Sequence, residues 1–150
     1  MSDIKPVWFN PLLSIEDLRS MGTVFMSALL DMRWESVTPD TLSMSMPVDD
    51  RTKQPYGLLH GGASCALAET VGSVASYFVI DNNKFICVGQ EISASHVKSA
   101  KEGRITATAS PLHLGKSTHV WDIRILDQNH RLICISRLTV AIREKSLFEK

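Results

Sequence analysis

The chain has 150 residues and a mass of 16.6 kDa, enough for one domain with a core of its own and too short for two ordinary ones. With 44% apolar residues, 21% charged residues and a mean hydropathy of +0.01, it falls outside the disordered and fibrous classes. Sixteen basic residues offset sixteen acidic ones, so the broad basic surface of a nucleic-acid binder is missing and no nucleic-acid partner is expected.

The N-terminal stretch MSDIKPVWFNP has no basic region leading into a long apolar run. No export signal is read there, and the cytoplasm is the expected compartment. Ser14 followed by Glu16 and Asp17 marks a helix start, and Leu18, Met21, Phe25 and Leu29 recur at helical spacing, which predicts one amphipathic helix. A strand or two should follow. From Thr41 to Val48 the pattern alternates strictly, with Leu42, Met44, Met46 and Val48 opposite Ser43 and Ser45, as in a half-buried strand. Asp49 to Gly57 is polar and broken by Pro55 and Gly57, a loop.

The segment Leu59 to Ile80 is nearly all apolar at 3.6-residue spacing, a long helix rich in small residues that admit close neighbours. Glu69 sits at its centre, where a charge costs on the order of 3 kcal/mol for membrane insertion, so a helix wrapped by protein is expected rather than a membrane span. Four segments of β character follow: Phe85 to Val97, Arg104 to Leu114, Thr118 to Leu126 and Leu132 to Ile142. Turn residues at 101–103, 115–116 and 127–130 separate them, which predicts an antiparallel meander. The charged end from Glu144 to Lys150 is expected to fray. Together these elements make an α+β domain, a sheet wrapped round one long helix, with its core from about residue 12 to 142.

Cys65, Cys87 and Cys134 are odd in number and far apart. They fit neither a disulfide framework nor metal-ligand spacing, and are read as buried, inert thiols. Glu69 is the one charged residue between Gly61 and Ile80. Among Ala, Leu, Val and Gly its carboxyl would be desolvated and suited to proton abstraction or nucleophilic attack, unless it pairs with a base or reaches the surface. Gly61 and Gly62 at the helix start leave backbone N–H groups bare for an oxyanion, or merely allow tight packing. His60 and Gln54 flank that junction. His60 and Glu69 are nine residues apart, about 13 Å and half a turn out of phase on one helix, so a site using both takes them from two subunits. Ser73 shares the face of Glu69.

These residues carry a resemblance. Gln54-Pro55-Tyr56-Gly57-Leu58-Leu59-His60-Gly61-Gly62-Ala63-Ser64, with Leu67-Ala68-Glu69 and Gly72-Ser73, resembles the motif of hotdog-fold acyl-CoA thioesterases, the PaaI-like superfamily. Met46-Pro47-Val48-Asp49, His96-Val97, Pro111-Leu112-His113-Leu114-Gly115 and Val120-Trp121 extend the likeness from Leu12 to Ile142. Within the family it is similar to the bacterial hydrolases of 1,4-dihydroxy-2-naphthoyl-CoA in menaquinone biosynthesis and to the proofreading thioesterases of enterobactin biosynthesis.

The resemblance implies a hotdog fold and hydrolysis of an aromatic acyl-CoA by water, with no metal and no organic cofactor. It implies Glu69 as nucleophile or general base, Gly61 as oxyanion donor, and His60 and Gln54 as positioning groups. The site would be shared across a dimer, two dimers making a tetramer. Ser73, Gly89, the segment His96, Val97, Lys98, Ser99 and the segment His113, Leu114, Gly115, Lys116, Ser117, Thr118 are the implied substrate contacts. Lys101 and Arg104 either join their field or form a solvated face. The chain departs from the family at Lys98, where arginine is expected, and at Gln90, Ser93 and Ser95, where leucine and asparagine are expected. Two other roles share the motif: release of acyl groups from a misloaded aryl-carrier protein, and acyl-CoA binding without turnover.

Overall fold

The computed structural model describes residues 5–147. Helix α1 (Ile15–Met21) begins at a capping box, with the Ser14 hydroxyl accepting from the Asp17 N–H and Asp17 Oδ2 accepting from the Ser14 N–H at 2.9 Å. Each satisfies a group the helix end leaves bare. The single helix expected through Leu29 is instead divided. Gly22 takes φ +68° and returns its N–H to Leu18 and Arg19, a left-handed close that glycine adopts without a Cβ clash. A separate turn, α2 (Phe25–Leu29), follows. Of the expected stripe only Leu18 is fully buried, while Met21, Phe25 and Leu29 stand exposed.

Strand β1 (Arg33–Val37) pairs with β2 (Leu42–Pro47). The alternation in β2 does orient Leu42, Met44 and Met46 into the core, but the strand is not half-buried. Ser43 and Ser45 are covered too, Ser43 by a 2.9 Å bond to Thr108 Oγ1 and Ser45 by Glu35 and Arg104. After α3 (Gly61–Val79) come β3 (Phe85–His96), β4 (Arg104–Leu114), β5 (Thr118–Asp127) and β6 (Leu132–Glu144). At the expected frayed end, Glu144 still belongs to β6 and Lys145–Leu147 form a 3-10 turn. Residues 148–150 lie outside the described residues.

The six strands form one antiparallel sheet in the order β1-β2-β4-β5-β6-β3. Only β4, β5 and β6 are a meander. The fourth strand expected in it, β3, does not pair with β4 but crosses to the far side of β6. The link from Val97 to Gly103 makes this possible, because three strand spacings are about 14 Å and seven residues reach further than that. On the way, the Ala100 carbonyl takes the Leu59 N–H at 2.8 Å, tying the crossover beneath the start of α3.

The concave face buries Ile105, Ala107 and Ala109 of β4, Trp121, Ile123 and Ile125 of β5, and Leu138 and Val140 of β6 against Leu67, Ala68, Val71 and Ala75 of α3. Each fully buried Leu or Ile contributes about 1.5–3 kcal/mol. Trp121 stacks on Trp8 with ring centroids 6.5 Å apart. Its indole N–H donates to Ser76 Oγ at 2.8 Å, so the ring buries no bare donor. This is the sheet-round-a-helix architecture expected above, a hotdog fold. No helix among the described residues is long and apolar enough to cross a membrane.

One edge of the sheet is open. Among the described residues the pairing partner of β3 is β6 alone, and residues 88–91, 93, 95 and 96 of β3 are exposed. A strand this long with a free edge presents unpaired backbone groups and invites a second chain.

Candidate functional site

The loop before α3 closes on itself through Lys53 and Leu59, and the His60 N–H donates to the Thr52 carbonyl at 2.8 Å. These ties present His60 as the N-cap of α3, where its Nδ1 accepts the Gly62 N–H at 2.8 Å. That bond leaves the proton on Nε2, free to donate. The Ala63 and Ser64 N–H groups both point at the His60 carbonyl, at 3.0 and 3.3 Å. The Gly61 N–H has no such partner among the described residues. It stands at the positive end of a helix of 19 residues, a natural place for a developing negative charge.

A cleft of about 300 Å³ opens at this point, lined by Gln54, Leu59, Gly61, Ser64, His96, Val97, Lys98, Ser99 and Ile133. Gln54 uses its side-chain oxygen to take the Tyr56 N–H at 2.5 Å, so its amide NH2 is left for the cleft. The His96 ring lies over Gly61, its Nε2 only 2.7 Å from where a Cβ would stand. Any larger residue at position 61 would push the imidazole away. Backbone N–H groups of Val97 and Lys98 are taken by the Ile133 carbonyl, which holds the strand end along the cleft wall.

Glu69 lies elsewhere. It sits midway along α3, half-buried, beneath β3. Its Oε1 accepts from Ser73 Oγ at 3.1 Å, and no basic side chain among the described residues pairs with it. The full desolvation expected of this carboxyl is therefore not reached in one chain, because the β3 edge above it is bare. Gly89, expected as a substrate contact, faces Glu69: a Cβ there would collide with Oε1. The register slips at this point, between Gly89 and Glu91, a bulge of the kind that re-aims backbone near sites. Cys87 is beside the same carboxyl, and burial first, then the Glu69 charge, push its thiol up to about 11. A thiol held protonated to that degree is a poor nucleophile.

The segment His113 to Thr118 forms a third group. It is the hairpin between β4 and β5, closed by the Gly115 N–H on the Thr118 carbonyl at 2.9 Å. The pairing register sets its Leu114 in one row with His119, Val140 and Gly89, so it is three strands across the sheet from β3. Within one chain, then, Gln54, His60, Gly61 and the 96–99 segment come together at the helix start. Glu69, Ser73 and Gly89 come together at its middle, and the 113–118 segment stands apart across the sheet from β3.

The sequence reading singles out neither Ser64 nor His119. Ser64 is three residues from Gly61 and so on its face of the helix, a signal that was available in the spacing. His119 is 2% exposed with no partner for Nδ1 among the described residues. Burial, and secondarily the nearby His113, hold its imidazole below the usual histidine range. An unfolded histidine takes a proton near pH 6.5, whereas folded His119 takes one only at lower pH, so acidification from there favours the unfolded chain. Removing this group in His119→Gln is expected to flatten the fall in Tm between about pH 6.5 and 5. The low-lying carboxyls of Asp31, Asp49 and Asp127 titrate below that window. Parallel Tm curves for the two proteins would refute it.

The sequence profile of the thioesterase superfamily matches residues 56–134. The chain is 52% identical over 130 residues to the 1,4-dihydroxy-2-naphthoyl-CoA hydrolase of Escherichia coli (strain K12), covering 87% of this chain and 95% of that protein. It is 43% identical over 130 residues to the proofreading thioesterase EntH of Cronobacter sakazakii, covering 87% and 94%. Among solved structures, a mutant thioesterase from Pseudomonas aeruginosa superposes with a TM-score of 0.87 at 43% identity, over 92% of this chain and 99% of that one.

Proposed function

The chain belongs to the thioesterase superfamily and is a thioester hydrolase, and we propose that it hydrolyses an aromatic acyl-CoA to the free acid and CoA, with Glu69 as nucleophile or general base. The observation that carries the reading is the Gly61 N–H, left without a partner among the described residues in a cleft at the positive end of α3. A thioester carbonyl seated there gains a donor as its oxygen becomes negative. In this reading His60, whose Nε2–H is left free by the bond from the Gly62 N–H to Nδ1, and the Gln54 amide hold the thioester and the attacking water. Two steps fit the carboxylate. Either Glu69 removes a proton from water, whose oxygen bonds to the carbonyl carbon before the C–S bond breaks, or Glu69 attacks directly and water cleaves the resulting mixed anhydride. In both, the CoA sulfur leaves as thiolate and takes up a proton.

The site is read as shared by two subunits in the cytoplasm. Two chains joined along the open β3 edge, antiparallel about a two-fold axis, would run their α3 helices in opposite directions. The cleft of one would then face Glu69 and Ser73 of the other, and the same contact would dry the Glu69 carboxyl. The 113–118 hairpin, with Lys116, and the exposed Lys98 would receive the phosphates of the carrier. The aromatic acyl group is supported by the identity to the naphthoyl-CoA hydrolase, and the identity to EntH makes an aryl-carrier protein the alternative carrier.

Thiol release over a panel of aroyl- and fatty acyl-CoAs, and from the matching acyl-carrier proteins, tests the reading. Wild type is expected to prefer aroyl-CoA, and Glu69→Ala is expected to lose on the order of 10³-fold or more in kcat, since it removes a group essential to the chemistry. Undiminished turnover by Glu69→Ala would refute the assigned role. Faster release from the carrier protein would move the substrate to that class.

A further inference from the structure

Helix α3 carries four hydroxyl side chains between Gly61 and Val79 besides the tyrosine, and three of them have partners. Thr70 bonds back to the Ala66 carbonyl at 2.7 Å, Ser73 donates to Glu69 at 3.1 Å, and Ser76 accepts from Trp121 at 2.8 Å. Ser64 is the exception. It is 1% exposed, and its Oγ has no hydrogen-bond partner among the described residues. Its usual acceptor would be the carbonyl four residues back. That is the His60 carbonyl, which already receives the Ala63 and Ser64 N–H groups. A hydroxyl buried without a partner is costly, and an alanine would pack as well and favour the helix.

Ser64 is not sealed in the core. It lines the cleft together with Gly61, Gln54 and His96. Residues three apart share one face of a helix, and the Cα–Cβ bond leans toward the helix N-terminus, so the Ser64 side chain is directed back over the turn that begins at Gly61. That turn is short of donors. The Gly62 N–H is consumed by His60 Nδ1 and the next two by the His60 carbonyl, leaving one backbone N–H where a negative oxygen is to be held. We propose that the Ser64 hydroxyl is the second hydrogen-bond donor to the thioester oxygen bound at Gly61, a further catalytic residue of this hydrolase. The inference rests on the reading that the thioester carbonyl docks at Gly61. It explains why a buried hydroxyl is kept without a protein partner: its acceptor arrives with the substrate.

The test compares Ser64→Ala with wild type on two probes, benzoyl-CoA and S-ethyl thiobenzoate, the second having no pantetheine amide. Loss of an oxyanion donor lowers kcat on the order of 10²-fold, and it is expected on both probes with KM little changed. Tm is expected to hold or rise, because the variant removes an unpartnered buried group. Unchanged kcat would overturn the proposal, as would a loss confined to the KM of benzoyl-CoA, which would place the hydroxyl on a pantetheine amide. A fall in Tm with no change in kcat would show a merely structural serine. Glu69→Ala run alongside keeps the two readings apart: an inactive Glu69→Ala with a fully active Ser64→Ala sinks only the second donor, whereas a fully active Glu69→Ala sinks the catalytic assignment beneath it.

Discussion

Mixing Glu69→Ala and His60→Ala proteins under subunit exchange is expected to restore thioester hydrolysis to about a quarter of the wild-type rate, although each variant alone is nearly inactive. The expectation comes from where α3 places its residues. His60 caps the helix start and Glu69 lies midway along it under Gly89, about 13 Å away on the helix and half a turn round. No rotamer brings the two to one carbonyl within a chain. In a hybrid dimer, one site combines both substitutions and is dead, while the other receives an intact Glu69 and an intact His60. Random exchange makes half the dimers hybrid, each with one of two sites working. The measurement is thiol release before and after exchange, with native mass spectrometry counting hybrids. Hybrids that form without any recovery would place the whole site in one chain.

Gly89→Ala is expected to lower kcat/KM on the order of 10²-fold while leaving Tm close to wild type. Glycine has no conformational reason to be there, since its φ is not in the left-handed region. Its role is to let Glu69 approach the strand. A Cβ at this position would collide with Oε1, the end of a flexible side chain, which swings aside at little cost in stability. On the proposed role of Glu69, its carboxylate is then misplaced by an ångström or so, and displacement of that size is enough to cost about 10²-fold. Stability should not suffer, because alanine in a strand interior is favoured over glycine by roughly 0.5–1 kcal/mol. Kinetics on benzoyl-CoA and a thermal melt check both halves. A variant with wild-type kcat/KM would show that Glu69 does not work from this position.

The helices and strands were legible where the signal is local. The 3.6-residue period of α3, the alternation in β2 and the turn residues between β4, β5 and β6 each concern neighbours in sequence. The break at Gly22 was not read, because the stripe through Phe25 and Leu29 looks continuous and periodicity does not register a left-handed residue. Ser43 and Ser45 read as solvent-facing because nothing nearby reveals that Thr108, Glu35 and Arg104 cover them.

For the site, helix-start chemistry alone offered a bare N–H at Gly61 beside His60 as one of two readings, and the spacing to Glu69 already argued that a site using both residues takes them from two chains. Three relations were decided only by the tertiary structure. The strand β3 leaves the meander for the far edge of the sheet, Gly89 presses on the Glu69 carboxylate, and Ser64 faces the cleft with no partner among the described residues. Each depends on contacts between residues far apart in the chain. A period or a motif says which face of an element is buried, whereas the neighbour that meets that face follows from how the sheet closes round the helix.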